Sequence, residues 1–147
     1  MPVWSNKLVQ EVIRLILDAY YDPQFSERSH GFRPKRGCHT ALREVYHTWL
    51  GTAWFIEGDI SQCFDKLNHE LLLETLSEQI HDGRFINLMR ELFDAGYMEE
   101  WTFNRTLSGV PQGGIVSPII SNILLDKLDK YVETVLIPKY TKGVKRG

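Results

Sequence analysis

Apolar residues recur every third or fourth position over most of this chain, the spacing of helices that bury one face. Leu8, Val9, Val12, Ile13, Ile16, Leu17 and Tyr20 predict a first helix from Ser5 to about Tyr21, with Ser5 as its N-cap. Asp22-Pro23 ends it, because the residue before a proline disfavours helical angles. A second amphipathic helix is predicted from His39 to Leu50, with Ala41, Leu42, Val45 and Trp49 on one face and Gly51 as its stop. Asn68 caps a third, carrying Leu71, Leu72, Thr75, Leu76 and Ile80. Asp82 caps a fourth, carrying Phe85, Ile86, Leu88, Met89, Leu92 and Phe93, with Gly96 beyond it. A fifth, long helix runs through Ile120, Ile123, Leu124, Leu128, Tyr131, Val132 and Val135, with Ser117 as N-cap and Pro118 as first helical residue. The pattern changes at two places. The run from about Ala53 to Ile60 reads as a buried strand, and alternation of Met98, Trp101, Phe103 and Leu107 around Asn104-Arg105 predicts a hairpin. The expected architecture is therefore α+β: helix-rich, with a small antiparallel sheet bearing Asp59 at a cleft.

Composition narrows the class without fixing the function. The 147 residues are 43% hydrophobic and 24% charged, which fits one soluble globular domain, or a fragment of a larger one, with a real core. No apolar run approaches a membrane span, and the N-terminus lacks a signal-peptide pattern. Cys38 and Cys63 are too few for a disulfide framework and lack metal-type spacing, so reduced thiols in a cytoplasmic protein are expected. The net charge of −2 is unlike a typical nucleic-acid binder, but its distribution is uneven. Arg28, Arg33, Lys35, Arg36 and Arg43 span a stretch with no acid, residues 56–100 are strongly acidic, and the tail after Pro138 is basic again. Such a division can hold a polyanion beside a metal-binding centre, or simply solvate helix faces.

Three stretches carry candidate chemistry. In Trp54-Phe-Ile-Glu-Gly-Asp-Ile-Ser-Gln-Cys-Phe-Asp-Lys-Leu-Asn-His69, Asp59 closes an apolar run, where a carboxylate needs a partner, a metal or water. Phe25 to Gly37 is loop-like, and its guanidiniums interleave with Phe25, His30 and Phe32, the mix that holds phosphates and stacks on bases. In Gly109-Val-Pro-Gln-Gly-Gly-Ile-Val-Ser-Pro118, glycines precede a helix N-terminus and let backbone approach a ligand.

Together these stretches resemble reverse transcriptases of the group II intron maturase type. The blocks are Ser29-His-Gly-Phe-Arg-Pro-Lys-Arg-Gly-Cys-His-Thr-Ala-Leu42, Phe55 to His69, and Gly109-Val-Pro-Gln-Gly-Gly-Ile-Val-Ser-Pro-Ile-Ile-Ser-Asn122, in the family's order. The resemblance runs from about Pro2 to Leu128. It implies a single partial reverse transcriptase domain over residues 1–147, with fingers-type helices and the basic loop to about residue 52 and a partial palm from about residue 53. It further implies that Asp59 is catalytic and binds Mg²⁺ (or Mn²⁺) with the carbonyl of Ile60. Ser61, Gln62, Cys63 and Phe64 would meet the incoming deoxynucleotide triphosphate, with Phe64 excluding a 2′-hydroxyl. Pro111, Gln112 and Gly113 would contact the nucleotide or template base, and Arg33, Lys35 and Arg36 would lie near template RNA.

The chain departs from the family pattern in having no adjacent Asp-Asp pair, so the Tyr-x-Asp-Asp hairpin is missing from these residues. Mg²⁺ keeps much of its water and needs several anionic ligands, so the chain alone is expected not to polymerise. The expected function is that of a fragment of an RNA-directed DNA polymerase that copies RNA by two-metal nucleotidyl transfer and binds intron RNA. The alternatives are a non-catalytic RNA-binding module or a truncated remnant. Expected partners are RNA, a DNA primer, deoxynucleotide triphosphates and, through apolar surface left uncovered, a second copy of the chain.

Overall fold

The computed structural model describes residues 4–52, 54, 57, 58, 60, 67–94, 97–99, 102–104 and 114–141. Helix α1 spans Trp4–Tyr21 and passes into a 3₁₀ turn, Asp22–Gln24, where Pro23 ends the regular helix. Helix α2 spans Cys38–Thr48, α3 His69–Ser77 and α4 Gly83–Asp94. Strands β1 (Tyr97–Glu99) and β2 (Thr102–Asn104) pair antiparallel. Helix α5, Ser117–Tyr131, continues through a π turn, Val132–Leu136, into α6, Ile137–Thr141. The wide turn has a local cause. Pro138 has no N–H and its ring crowds the carbonyl four residues earlier, so a regular α-turn would not fit there.

The caps explain where α3 and α4 begin. Asn68 Oδ1 accepts the Leu71 N–H at 3.1 Å, and Asp82 Oδ1 accepts the Arg84 N–H at 2.9 Å. At α5 the helix already includes Ser117, the residue expected to cap it, and Val116 precedes it without a side-chain cap.

One core joins these helices. Ile13, Leu17 and Tyr21 of α1 meet Phe25, Leu67, Leu72, Leu73 and Leu76 near α3, Met89 and Phe93 of α4, and Val116, Ile119, Ile120 and Ile123 of α5. Helix α5 is the hub, packing on both α1 and α3, while α3 also packs on α4. Each fully buried aliphatic or aromatic side chain contributes roughly 1.5–3 kcal/mol of transfer free energy.

This arrangement corrects the expected α+β architecture. The chain is helix-rich, and its core is made by helix faces. Among the described residues the only strands are the two three-residue segments of the hairpin, and Asp59 is not on them. Of the expected strand at 53–60, residues 54, 57, 58 and 60 carry no regular secondary structure, and the others lie outside the described residues. A strand is stabilised by its cross-strand partners, so a local apolar run does not make one by itself.

Two helix faces also differ from expectation. Helix α1 buries Ile13, Leu17 and Tyr21 at a strict four-residue spacing, and leaves Leu8, Val12, Ile16 and Tyr20 largely exposed. Helix α2 buries none of its residues, and Leu42 is 65% exposed. Cys38 is an exposed free thiol, and among the described residues no helix is long and apolar enough to cross a membrane.

Candidate functional site

The loop between the 3₁₀ turn and α2 is fastened along its whole length. Ser26, itself buried, donates its N–H to Asp126 Oδ1 of α5 at 3.2 Å, and its hydroxyl donates to Glu133 Oε1 at 2.6 Å. Gly31 offers its carbonyl to Asn122 Nδ2 at 2.8 Å. His30 bridges to α2 through both ring nitrogens, Nδ1 to Thr40 Oγ1 at 2.9 Å and Nε2 to Glu44 Oε2 at 2.8 Å. Thr40 in turn accepts the Gly37 N–H at 2.9 Å, closing the start of α2. A polar stripe on α5 and the π turn after it (Asn122, Asp126, Glu133) and one histidine thus set where the loop lies.

Arg33 sits inside this loop. Its side chain is only 6% exposed and makes four hydrogen bonds within the chain. Nε donates to Asp22 Oδ1 at 2.7 Å, one terminal nitrogen donates to the carbonyls of Ser26 (2.7 Å) and Ser29 (3.0 Å), and the other to the Asp22 carbonyl (2.8 Å). The guanidinium carbon lies 5.4 Å from the centre of the Phe25 ring, which stacks on Tyr21.

Lys35 and Arg36 are placed differently. Lys35 is exposed, at φ +61°. Arg36 is half-buried; its N–H returns to the Arg33 carbonyl at 3.2 Å, and its guanidinium reaches the carbonyl of Glu27. Residues 33–36 therefore form a turn with proline second and a left-handed residue third, a place that favours glycine. Phe32, at φ +52°, is 71% exposed on the same loop. Arg28 and Arg43 are exposed as well.

Electrostatics on the supporting helix are acidic. Asp126 and Glu133 flank Asp129, and burial together with these two charges raises the Asp129 carboxyl above its ordinary range. Lys130 pairs with Asp126.

The other expected site residues divide as follows. Ile60 is exposed, whereas Asp59, Ser61, Gln62, Cys63, Phe64, Pro111, Gln112 and Gly113 lie outside the described residues. Among the described residues no group of three or more His, Cys, Asp or Glu side chains is arranged to hold a metal ion. The loop brings Lys35 and Arg36 to one rim and turns Arg33 inward. Asp22, Ser26, Asn122, Asp126 and Glu133, which hold the loop, were not singled out as site residues from the sequence. Their signal was present in α5 and the turn after it, where Asn122, Asp126 and Glu133 recur at helical spacing beside the apolar positions.

The chain matches the family model described as reverse transcriptase (RNA-dependent DNA polymerase) over residues 1–141. It is 46% identical over 132 residues to the group II intron-encoded protein LtrA of Lactococcus lactis subsp. cremoris, covering 90% of this chain and 22% of that protein. To an uncharacterized 91 kDa protein in the cob intron of Schizosaccharomyces pombe it is 48% identical over 130 residues, covering 88% and 16% of the two. To the putative COX1/OXI3 intron 1 protein of Saccharomyces cerevisiae it is 42% identical over 139 residues, covering 94% and 16%. The chain thus spans about a fifth of the length of these relatives or less.

Proposed function

Since the chain belongs to the reverse transcriptase (RNA-dependent DNA polymerase) family, we propose that it is the RNA-gripping part of a group II intron-encoded enzyme that copies RNA into DNA. The observation that carries this reading is the rim of the fastened loop. Lys35 is exposed there, with Arg36 beside it and Phe32 largely in solvent. Asp22 and Glu44 are tied to Arg33 and His30, so over residues 22–44 the exposed cations Arg28, Lys35 and Arg43 face one exposed acid, Glu27. A cationic rim next to an aromatic ring suits a single strand, whose phosphates meet the charges while bases stack.

The test is RNA binding by fluorescence anisotropy across a salt titration, comparing the chain with a Lys35→Ala/Arg36→Ala variant. Each cation removed from a phosphate of a single strand lowers the salt slope by about 0.7, so a fall of about 1.4 is expected. An unchanged slope and affinity would remove the loop from the RNA interface.

In the same reading, Asp59 and the carbonyl of Ile60 would supply two of the oxygen ligands of a divalent ion, Mg²⁺ or Mn²⁺, which needs further carboxylates to be held. Bound there, the ion supplies the positive charge that stabilises the attacking and leaving oxygens of nucleotidyl transfer. In that reading the residues from Ser61 to Phe64 would meet the triphosphate, Phe64 would exclude a 2′-hydroxyl, and Pro111, Gln112 and Gly113 would contact the nucleotide or template base. These 147 residues contain no adjacent Asp-Asp pair. On their own they are expected to extend no primer, and incorporation above that of an Asp59→Ala control would overturn this expectation.

A further inference from the structure

We infer that Arg33 is a positioning residue: its guanidinium closes the loop on itself and so sets Lys35 and Arg36 at the rim, and it does not itself meet a phosphate. The inference rests on the reading that this rim holds RNA, and assigns within it a role opposite to the one an arginine in a basic loop invites.

The geometry argues it in three steps. First, four of the five N–H donors of the guanidinium are taken. They go to Asp22, Ser26 and Ser29, one of them to a carboxylate oxygen, and the group lies over the face of Phe25 in a side chain 6% exposed. Little of it is open to a phosphate, and the Asp22 carboxylate already neutralises it. Second, those acceptors lie at the beginning of the loop, while Arg33 lies near its end. The side chain therefore ties residues 22–29 to residues 33–36 across a span with no regular secondary structure. Third, the backbone on either side is held in a conformation that ordinary residues avoid. Phe32 and Lys35 have φ of +52° and +61°, and the Arg36 N–H bonds the Arg33 carbonyl. Left-handed backbone at a bulky aromatic and at a lysine persists only where the surrounding structure over-determines it. Arg33 supplies that restraint, and the turn it anchors carries a cation at the position where glycine would cost least.

The role separates from a direct phosphate interaction by sign. If Arg33 met RNA, removing the neighbouring Asp22 carboxylate would free it and tighten binding. As a positioning residue it needs Asp22, so Asp22→Ala is expected to weaken RNA binding about three- to tenfold, with the salt slope changed by less than the roughly 0.7 that a single phosphate-bound cation contributes. Arg33→Lys keeps the charge and loses the planar fork, and is expected to weaken binding by a similar factor. Lys35→Ala, by contrast, lowers the slope by about 0.7.

A second measurement needs no RNA. In Arg33→Lys the amides of Ser29 and Arg36, which bond the Ser26 and Arg33 carbonyls, are expected to exchange with solvent about tenfold faster than in the parent. Far-UV circular dichroism checks that each variant is folded, and Asp22→Asn replaces any variant that is not. Tighter or unchanged binding in Asp22→Ala overturns the inference, as does unchanged exchange at Arg36 in Arg33→Lys. Absence of any effect from Lys35→Ala/Arg36→Ala instead overturns the RNA reading and leaves the exchange result to decide what Arg33 does for the loop.

Discussion

Replacing Asp126 by alanine tests whether α5 holds the basic loop. The carboxylate is 8% exposed, accepts the Ser26 N–H at 3.2 Å through Oδ1, and pairs with Lys130 through Oδ2. Ser26 is equally buried, so in Asp126→Ala its N–H is left without a partner and with little access to water, which costs about 1–3 kcal/mol. The Lys130 pair adds little, because the lysine is about half exposed and lies one helical turn away; such pairs contribute roughly 0.3–0.5 kcal/mol. Two effects oppose the loss. Alanine favours helix over aspartate by up to roughly 0.7 kcal/mol, and removing Asp126 takes a like charge from beside Asp129. The net expectation is a destabilisation of about 1–2 kcal/mol. Urea unfolding followed by circular dichroism measures it, and the melting temperature should fall by roughly 2–4 °C per kcal/mol for a chain of this size. Asp126→Asn keeps an acceptor oxygen and should lose no more than half as much. An alanine variant as stable as the parent would refute the claim that this bond fastens the loop. An asparagine variant as weak as the alanine one would assign the effect to charge.

Asn68→Ala removes the oxygen that accepts the Leu71 N–H and should destabilise the chain by about 1 kcal/mol in the same unfolding assay. Tyr21→Phe should raise stability by about 1 kcal/mol or leave it unchanged, since the Tyr21 hydroxyl is buried with no hydrogen-bond partner among the described residues and its burial pushes the phenol up to about 12. For Asp129 the carboxyl is raised, so the folded chain keeps a proton that the unfolded chain has already released. Stability therefore falls as pH rises through the window above the ordinary carboxylate value. Asp129→Asn should abolish that fall, being more stable than the parent at neutral pH and equal to it in acid, as read from melting temperature against pH. Lys35→Gly should stabilise the loop by about 0.5–1 kcal/mol by relieving its left-handed backbone while lowering the salt slope for RNA by about 0.7, two changes of opposite consequence in one variant.

How far the chain could be read before its structure depends on whether a signal is local. The caps at Asn68 and Asp82 and the stop at Asp22-Pro23 need only a few neighbouring residues, and α1, α3 and α4 begin or end where those residues stand. Which face of α1 is buried needs the position of α5. Its apolar arc is wider than the face it buries, so periodicity could not choose Ile13, Leu17 and Tyr21 over Leu8, Val12 and Ile16. The antiparallel pair expected around residue 100 forms at Tyr97–Glu99 and Thr102–Asn104, whereas residues 54, 57, 58 and 60 of the strand expected at 53–60 carry no strand, since an apolar run becomes one only when another strand pairs with it.

The basic loop shows the limit most sharply. Arg33, Lys35 and Arg36 look alike in the sequence, three cations within four residues, and charge alone makes each a phosphate ligand. What separates them is the company each keeps. Asp22 lies eleven residues before Arg33 and ahead of a proline, where no helical or strand spacing connects the two, yet its Oδ1 accepts the Nε–H hydrogen bond at 2.7 Å. Asp126 lies a hundred residues beyond Ser26 and fixes the backbone that receives the rest of the guanidinium. An arginine paired in this way spends its donors on the fold, whereas a lysine held at positive φ on the next turn keeps its ammonium in solvent. The loop therefore divides its cations by partner, one building the surface and its neighbours presenting charge from it.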